Sequence, residues 1–202
     1  MIAILCPGQG SQTPSFMSPW LEFDAFRNTV EALQEASGIK LIEHGTVSDA
    51  DTIRDTAIAQ PLIVAAGVAT ARLLEEKFGE DFSKVSAIAG HSVGEITAAI
   101  ISGILTPDEG IKFVRERGEA MARAAALEPT GMAAVVGGDL ELIEQRLVEL
   151  DLSAANYNGG GQIVVAGMLS ALGELQAEPP AGSRVIPLQV AGAFHTRFMQ
   201  PA

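Results

Sequence analysis

Basic residues are scarce in this 202-residue chain: Lys and Arg number 13 against 25 Asp and Glu, a formal net charge of −12. A surface of that sign repels phosphate backbones and anionic bilayers, which argues against nucleic-acid or membrane binding through the overall field. Cysteine occurs once. That forbids an internal disulfide and fits a reducing cytoplasm. Long hydrophobic runs are also lacking: 62–71 and 96–105 are the longest, and both read as too short to cross a bilayer. The opening Met1-Ile2-Ala3-Ile4-Leu5-Cys6 has no basic region before its apolar residues and no small-residue cleavage site after them, so it reads as a strand and not as a signal peptide. With only 3 histidines and no ligand spacing among them, no metal site is expected. What the chain does have is core material, 48% apolar against 19% charged residues. That is enough for one sizeable domain or two small ones.

Two apolar runs lead into Gly-rich turns, 2–6 before Pro7-Gly8-Gln9-Gly10 and 85–89 before Gly90-His91-Ser92-Val93-Gly94. Both read as parallel strands buried on both faces. Helical spacing covers 23–36, with Gly38 as a stop. Pro61 stands where a first helical residue belongs, opening a helix over 62–78 that ends at Gly79. Thr106-Pro107-Asp108-Glu109 is a capping box that starts a helix running to about Leu127. Beyond Glu128-Pro129 the order becomes strand 132–136, helix 140–150, strands 152–157 and 162–166, helix 170–177 and strand 184–190. That β-α-β-β-α-β order is the ferredoxin-like pattern. The fold expected is α/β: an α/β-hydrolase-like large domain with a parallel sheet over 1–127 and 191–202, and a ferredoxin-like small subdomain inserted at 128–190.

Gly90-His91-Ser92-Val93-Gly94 is a G-x-S-x-G nucleophile elbow. Strand, sharp turn and helix follow at once, and the flanking glycines avoid clashes with neighbouring backbone. The serine Oγ is thereby exposed, with the first amides of the helix aimed at the space where an oxyanion would form. Serine at its ordinary pKa needs a base. His44 lies in a polar segment and reads as solvated. His91 adjoins the serine, and its side chain is expected to point away. His195 follows the last strand, where the chain returns to the large domain, and is the best candidate base. Arg117 sits on the helix opened by Pro107. Read from its own residues alone it is a solvated helix arginine.

These strings, with Gln60-Pro61, Arg117-Gly118, Asn156-Tyr157-Asn158 before Gln162, and Phe194-His195, resemble the malonyl-CoA:acyl-carrier-protein transacylases. This is the acyltransferase family of type II fatty-acid synthesis, also found as domains of polyketide synthases. The match runs the length of the chain, in order. The resemblance implies that Ser92 carries the acyl group, that His195 is general base and then general acid, and that the amides of Gln9 and Val93 form the oxyanion hole. It implies that Arg117 grips the free carboxylate of malonyl, a fit that the planar guanidinium fork makes sensible. Phe194, His91, Gln60 and Asn158 complete the implied substrate-binding set, with Phe194 filling the space an α-methyl would need. The reaction implied is ping-pong transfer of malonyl from malonyl-CoA to the phosphopantetheine thiol of an acyl carrier protein, by a cytoplasmic monomer that uses no cofactor or metal. An acidic carrier protein would dock on a local basic patch, for which Lys112, Arg115, Arg123 and Arg197 are candidates.

The chain departs from the family in stopping soon after His195, where members continue for a substantial C-terminal segment. Of two explanations, a fragment or a naturally short protein that completes its fold with a partner chain, the fragment is favoured, with a large domain that lacks its last strands and helices and exposes apolar surface. No certain third member accompanies Ser92 and His195: Asp139 and Asp151 fall in the small subdomain, and Asp108 suits a helix start. Two rivals stand beside the transacylase. An α/β-hydrolase-type esterase or thioesterase shares the elbow but wants an acid between Ser and His in the chain. A non-catalytic module would bind acyl-CoA or carrier protein without a serine adduct.

Overall fold

The computed structural model describes residues 2–202. Packing divides the chain into two units, one reaching to Glu119 and one comprising Ala120–Ala202.

In the first unit β1 (Ile2–Cys6) and β2 (Val85–Gly90) pair in parallel, with Cys6 opposite Gly90. Around them run α1 (Asp24–Ser37), α2 (Leu41–Thr46), α3 (Thr56–Phe78), α4 (Gly94–Ile101) and most of α5 (Pro107–Ala125). Phe26, Val30 and Leu33 recur at helical spacing on α1 and are buried, and the helix stops at Gly38 in the left-handed region (φ 71°). They meet Leu62, Val64, Ala65 and Val68 of α3, Ile96 and Ile100 of α4, and Ile111 and Val114 of α5 in one core. At the start of α5, Glu109 accepts from the Thr106 amide and hydroxyl while its own amide donates to Thr106 Oγ1. The reciprocal box read from the sequence is thus formed. The helix ends at Ala125, slightly before Leu127.

Three expectations need correction here. The long helix begins at Thr56, not at Pro61: Asp55 caps it by accepting from the Ala57 amide at 2.8 Å, and Pro61 lies inside. Proline forfeits one backbone bond, and near-complete burial of Ala59, Gln60, Leu62 and Val64 offsets that loss. Second, Thr56–Lys84 is long and apolar enough, by length and composition, to cross a membrane. It passes that test because it contains α3, a core helix apolar nearly all round. Third, β1 and β2 are not buried on both faces. With α4 packed against only two strands, Cys6 is buried while Leu5 is 77% and Ile2 48% exposed.

The second unit carries β3 (Thr130–Gly137), α6 (Leu140–Glu149), β4 (Ser153–Gly159), β5 (Gln162–Met168), α7 (Leu169–Ala177) and β6 (Ser183–Pro187). The strands lie in the order β4-β5-β3-β6, every neighbour antiparallel. This is the β-α-β-β-α-β unit read from the sequence. Period-two alternation sorts the residues of the sheet. Ala133, Val135, Ile163 and Val165 meet Ile143 and Leu147 of α6 and Leu172 and Leu175 of α7. Met132, Val164 and Ala166 meet Met121, Ala193 and Phe194. Residues 120–127 and 191–202 thus group by packing with this sheet. The last strand stops at Pro187, short of Val190, because the Val190 amide turns back onto the Leu188 carbonyl at 3.0 Å.

Candidate active site

The serine turn is built by close backbone approach. β2 ends at Gly90, α4 begins at Gly94, and Ser92 between them has φ 54°. A non-glycine residue in that region costs on the order of 1–3 kcal/mol and persists where its surroundings over-determine it. Here they do. A Cβ on Gly90 would lie 2.2 Å from the Glu95 nitrogen, and one on Gly94 would lie 2.2 Å from the Cys6 carbonyl oxygen. The His91 amide donates to that same carbonyl at 3.0 Å, and the Gly94, Glu95 and Ile96 amides are taken up by the carbonyls of His91, Ser92 and Val93. Val93 is fully buried, Ser92 half-buried and His91 exposed. Gly94→Ala is therefore expected to cost about 3 kcal/mol by forcing β1 and the turn apart. The denaturant midpoint should fall while its slope stays constant; an unchanged midpoint would contradict the packing described.

The loop after β1 lies against this turn. A Cβ on Gly8 would be 2.7 Å from His91 Nδ1. Ser11 Oγ donates to the Gly8 carbonyl, the Gly10 amide to Gln12 Oε1, and Gln12 Nε2 to the Ile53 carbonyl, all at 2.9 to 3.0 Å. Gln9 reaches the other way: its Nε2 donates to Thr56 Oγ1 at 3.3 Å, and its Oε1 accepts from Gln60 Nε2 at 3.4 Å.

Arg117 joins the same cluster. Its Nη1 donates to Gln60 Oε1 at 2.5 Å. The guanidinium is half-buried, not solvated, and burial lowers its pKa, with the negative charge of Glu95 acting in the opposite direction. Among the described residues no carboxylate lies within ion-pair distance of it. A desolvated cation without a counter-ion is costly, and a carboxylate from outside would relieve that cost. The first unit thus brings together Gln9, Gln60, His91, Ser92, Val93 and Arg117.

His195, Phe194 and Asn158 belong to the second unit. Thr130 Oγ1 accepts from the Ala193 amide at 3.1 Å, and Thr196 Oγ1 donates to the Ala193 carbonyl at 2.6 Å. On that anchored turn His195 is exposed, with φ 60°. The Phe194 ring is buried among Met121, Met132 and Ala166. Asn158, at the tip of the β4–β5 hairpin, donates through Nδ2 to Gln162 Oε1 at 2.8 Å. The acids weighed earlier have structural work. Asp139 caps α6 through the Glu141 and Leu142 amides. Asp151 holds Arg197 in a two-pronged pair that keeps its carboxyl below the usual range. Among the candidate docking cations, Arg197 is engaged by Asp151, and Arg115 by the Ser37 carbonyl and by Glu119 at 3.6 Å. His44 binds Ser48 Oγ through Nδ1 at 3.0 Å. Sequence reasoning missed Thr56 and Thr130. Starting the helix at Pro61 hid the first, although Asp55-Thr56 is itself a helix-start signal.

Residues 4–202 match the acyl transferase domain family. The malonyl CoA-acyl carrier protein transacylase of Mycobacterium tuberculosis is 48% identical over 205 residues, covering 100% of this chain and 67% of that protein. That of Bacillus subtilis is 34% identical, covering 100% of this chain and 65% of that protein. The crystal structure of MCAT from Mycobacterium tuberculosis superposes with a TM-score of 0.94 at 47% identity, over 100% of this chain and 66% of that one. A structure of a type II PKS acyl-carrier protein in complex with its malonyl-transacylase matches with a TM-score of 0.90 at 29% identity, over 98% of this chain and 66% of that one. The chain thus spans about two thirds of the length of these relatives. With an elbow serine, a half-buried arginine that no carboxylate among the described residues pairs with at ion-pair distance, and this degree of likeness along its length, the chain belongs to the acyl transferase domain family.

Proposed function

We propose that this protein transfers a malonyl group from malonyl-CoA to the phosphopantetheine thiol of an acyl carrier protein, through an ester on Ser92. The observation that carries this reading is the presence, in one unit, of a serine held at positive φ on an elbow and of a half-buried arginine with no carboxylate among the described residues at ion-pair distance. The first feature presents a nucleophile, and the second asks for an anionic acyl group. Relatives named as malonyl CoA-acyl carrier protein transacylases support it.

In the first half-reaction Ser92 Oγ attacks the thioester carbonyl and His195 accepts its proton. The amides of Gln9 and Val93 stabilise the tetrahedral oxyanion, and Arg117 holds the malonyl carboxylate away from the reacting carbon. The thiolate of CoA leaves, taking the proton from His195. The carrier thiol then attacks the ester in the reverse sense, which gives ping-pong kinetics. His91, Gln60, Phe194 and Asn158 shape the substrate site, and no step calls for a metal or bound cofactor. The same reading carries a hydrolase-like core of 1–127 and 191–202 with the subdomain 128–190 inserted, acting as a monomer in the cytoplasm.

Intact-protein mass spectrometry after brief exposure to malonyl-CoA or acetyl-CoA tests it. A malonyl adduct that exceeds the acetyl adduct supports the proposal. Equal labelling by both donors overturns the carboxylate selectivity. Rapid hydrolysis of a simple aryl ester without transfer to a thiol would make the protein an esterase instead.

A further inference from the structure

Four side chains of the first unit form a hydrogen-bonded series with a fixed direction. Arginine has donors and no acceptor. Gln60 must therefore present Oε1 to Arg117, which it does at 2.5 Å. That choice turns Gln60 Nε2 towards Gln9, so Gln9 must present Oε1, at 3.4 Å. Gln9 Nε2 is left for Thr56, whose hydroxyl oxygen accepts at 3.3 Å. Two amide groups that could each be reversed by half a turn thus share the direction that the guanidinium requires. Gln60 and Thr56 are each only 1% exposed, so water cannot readily substitute for either partner.

The series also closes on itself through the backbone. Thr56 is the first residue of α3, fixed by the Asp55 cap. Its carbonyl oxygen lies against Gly118, where an added Cβ would stand 2.9 Å away. Gly118 follows Arg117 in α5. The start of α3 therefore touches α5 beside the arginine, and the side chains return from the arginine to the start of α3 by way of Gln60 and Gln9.

We propose that Thr56 is a positioning residue: its hydroxyl holds the Gln9 side chain, and with it the loop whose amide faces the oxyanion, in register with Arg117. The inference rests on the function proposed above for the roles of Gln9 and Arg117. The hydrogen-bonded series itself does not depend on that function. A carboxylate seated on Arg117 then tightens the oxyanion loop through Gln60, so recognition of the acyl group and stabilisation of the transition state are linked.

Two arms test this on the full chain, with Thr56→Val, which removes the hydroxyl at nearly constant volume, and Thr56→Ser, which keeps it. In the first arm, nitrogen-15 spectra follow the side-chain amides of Gln9 and Gln60 and the Arg117 guanidinium. Thr56→Val should shift all three, and Thr56→Ser should restore the parent positions. A shift confined to position 56 and its chain neighbours overturns the relay. In the second arm, rapid-quench mass spectrometry measures Ser92 acylation. Thr56→Val should lower the maximal rate by about tenfold with a smaller change in half-saturation, as displacement of a catalytic loop does, and Thr56→Ser should recover it. Equal loss in both variants would assign Thr56 to packing and overturn the proposal. If the parent chain forms no serine adduct, the proposed function falls while the first arm still decides the relay.

Discussion

Alanine at position 92 is expected to carry no acyl group after exposure to malonyl-CoA, and transfer to a carrier thiol should fall by at least about a thousandfold. Without the hydroxyl the carrier thiol must attack the thioester directly, with both large substrates present at once. The two easier half-reactions that a covalent intermediate provides are lost. The amides proposed for the oxyanion remain, so a residual rate above that in water should persist. Alanine keeps the Cβ at φ 54° and the neighbouring contacts are backbone, so the melting temperature should stay near that of the parent. That separates lost chemistry from lost fold. An adduct of the same mass on Ser92→Ala would move the nucleophile elsewhere, with Ser11 on the adjoining loop the first to examine.

Arg117→Ala should lower malonyl loading by roughly thirtyfold or more, the range seen when one member of a buried hydrogen-bonded charge pair is truncated. Acetyl loading should change far less. The arginine is half-buried and its charge is partly desolvated, so an incoming carboxylate finds little competing water and the pair is worth more than a surface ion pair. Truncation also leaves Gln60 Oε1 without the donor it faces at 2.5 Å, which adds to the loss. Arg117→Lys should recover only part of the selectivity, because a point charge cannot match both carboxylate oxygens in one plane. Steady-state loading with paired malonyl- and acetyl-CoA donors reads the ratio. A ratio unchanged in the alanine variant would remove Arg117 from the site.

Much of this was legible in the residues because the signals were local. The elbow needs Gly90 and Gly94 for reasons that five residues contain, and the clashes met by an added Cβ are those the spacing implies. The subdomain was legible because Leu140, Ile143, Leu147 and Leu150 recur at helical spacing, in a helix that Asp139 caps, and its strands are short runs bounded by turn residues. The errors came where tertiary context overrode local preference. Pro61 looked like a helix start, yet a helix buried on nearly every side tolerates proline in its interior. The burial of β1 and β2 was over-read, because apolar composition reports what a strand can bury and says nothing of how many neighbours cover it. Starting the helix at Pro61 also hid Thr56, and its hydrogen-bonded link to positions 9, 60 and 117 spans a separation that periodicity does not reveal.

The dihedral at Ser92 also restricts which elements the reaction can use. Left-handed backbone admits glycine freely and asparagine or aspartate at small cost, and it treats β-branched residues as true outliers. Threonine is thereby barred from this turn by its own methyl group, although its hydroxyl would serve. Cysteine has no such branch, so sulfur is sterically admissible where a secondary alcohol is not. Glycine would relax the turn most and would remove the reacting atom altogether. A chain selected for stability alone would place glycine at position 92, and under the proposed function the serine found there marks a trade of stability for chemistry.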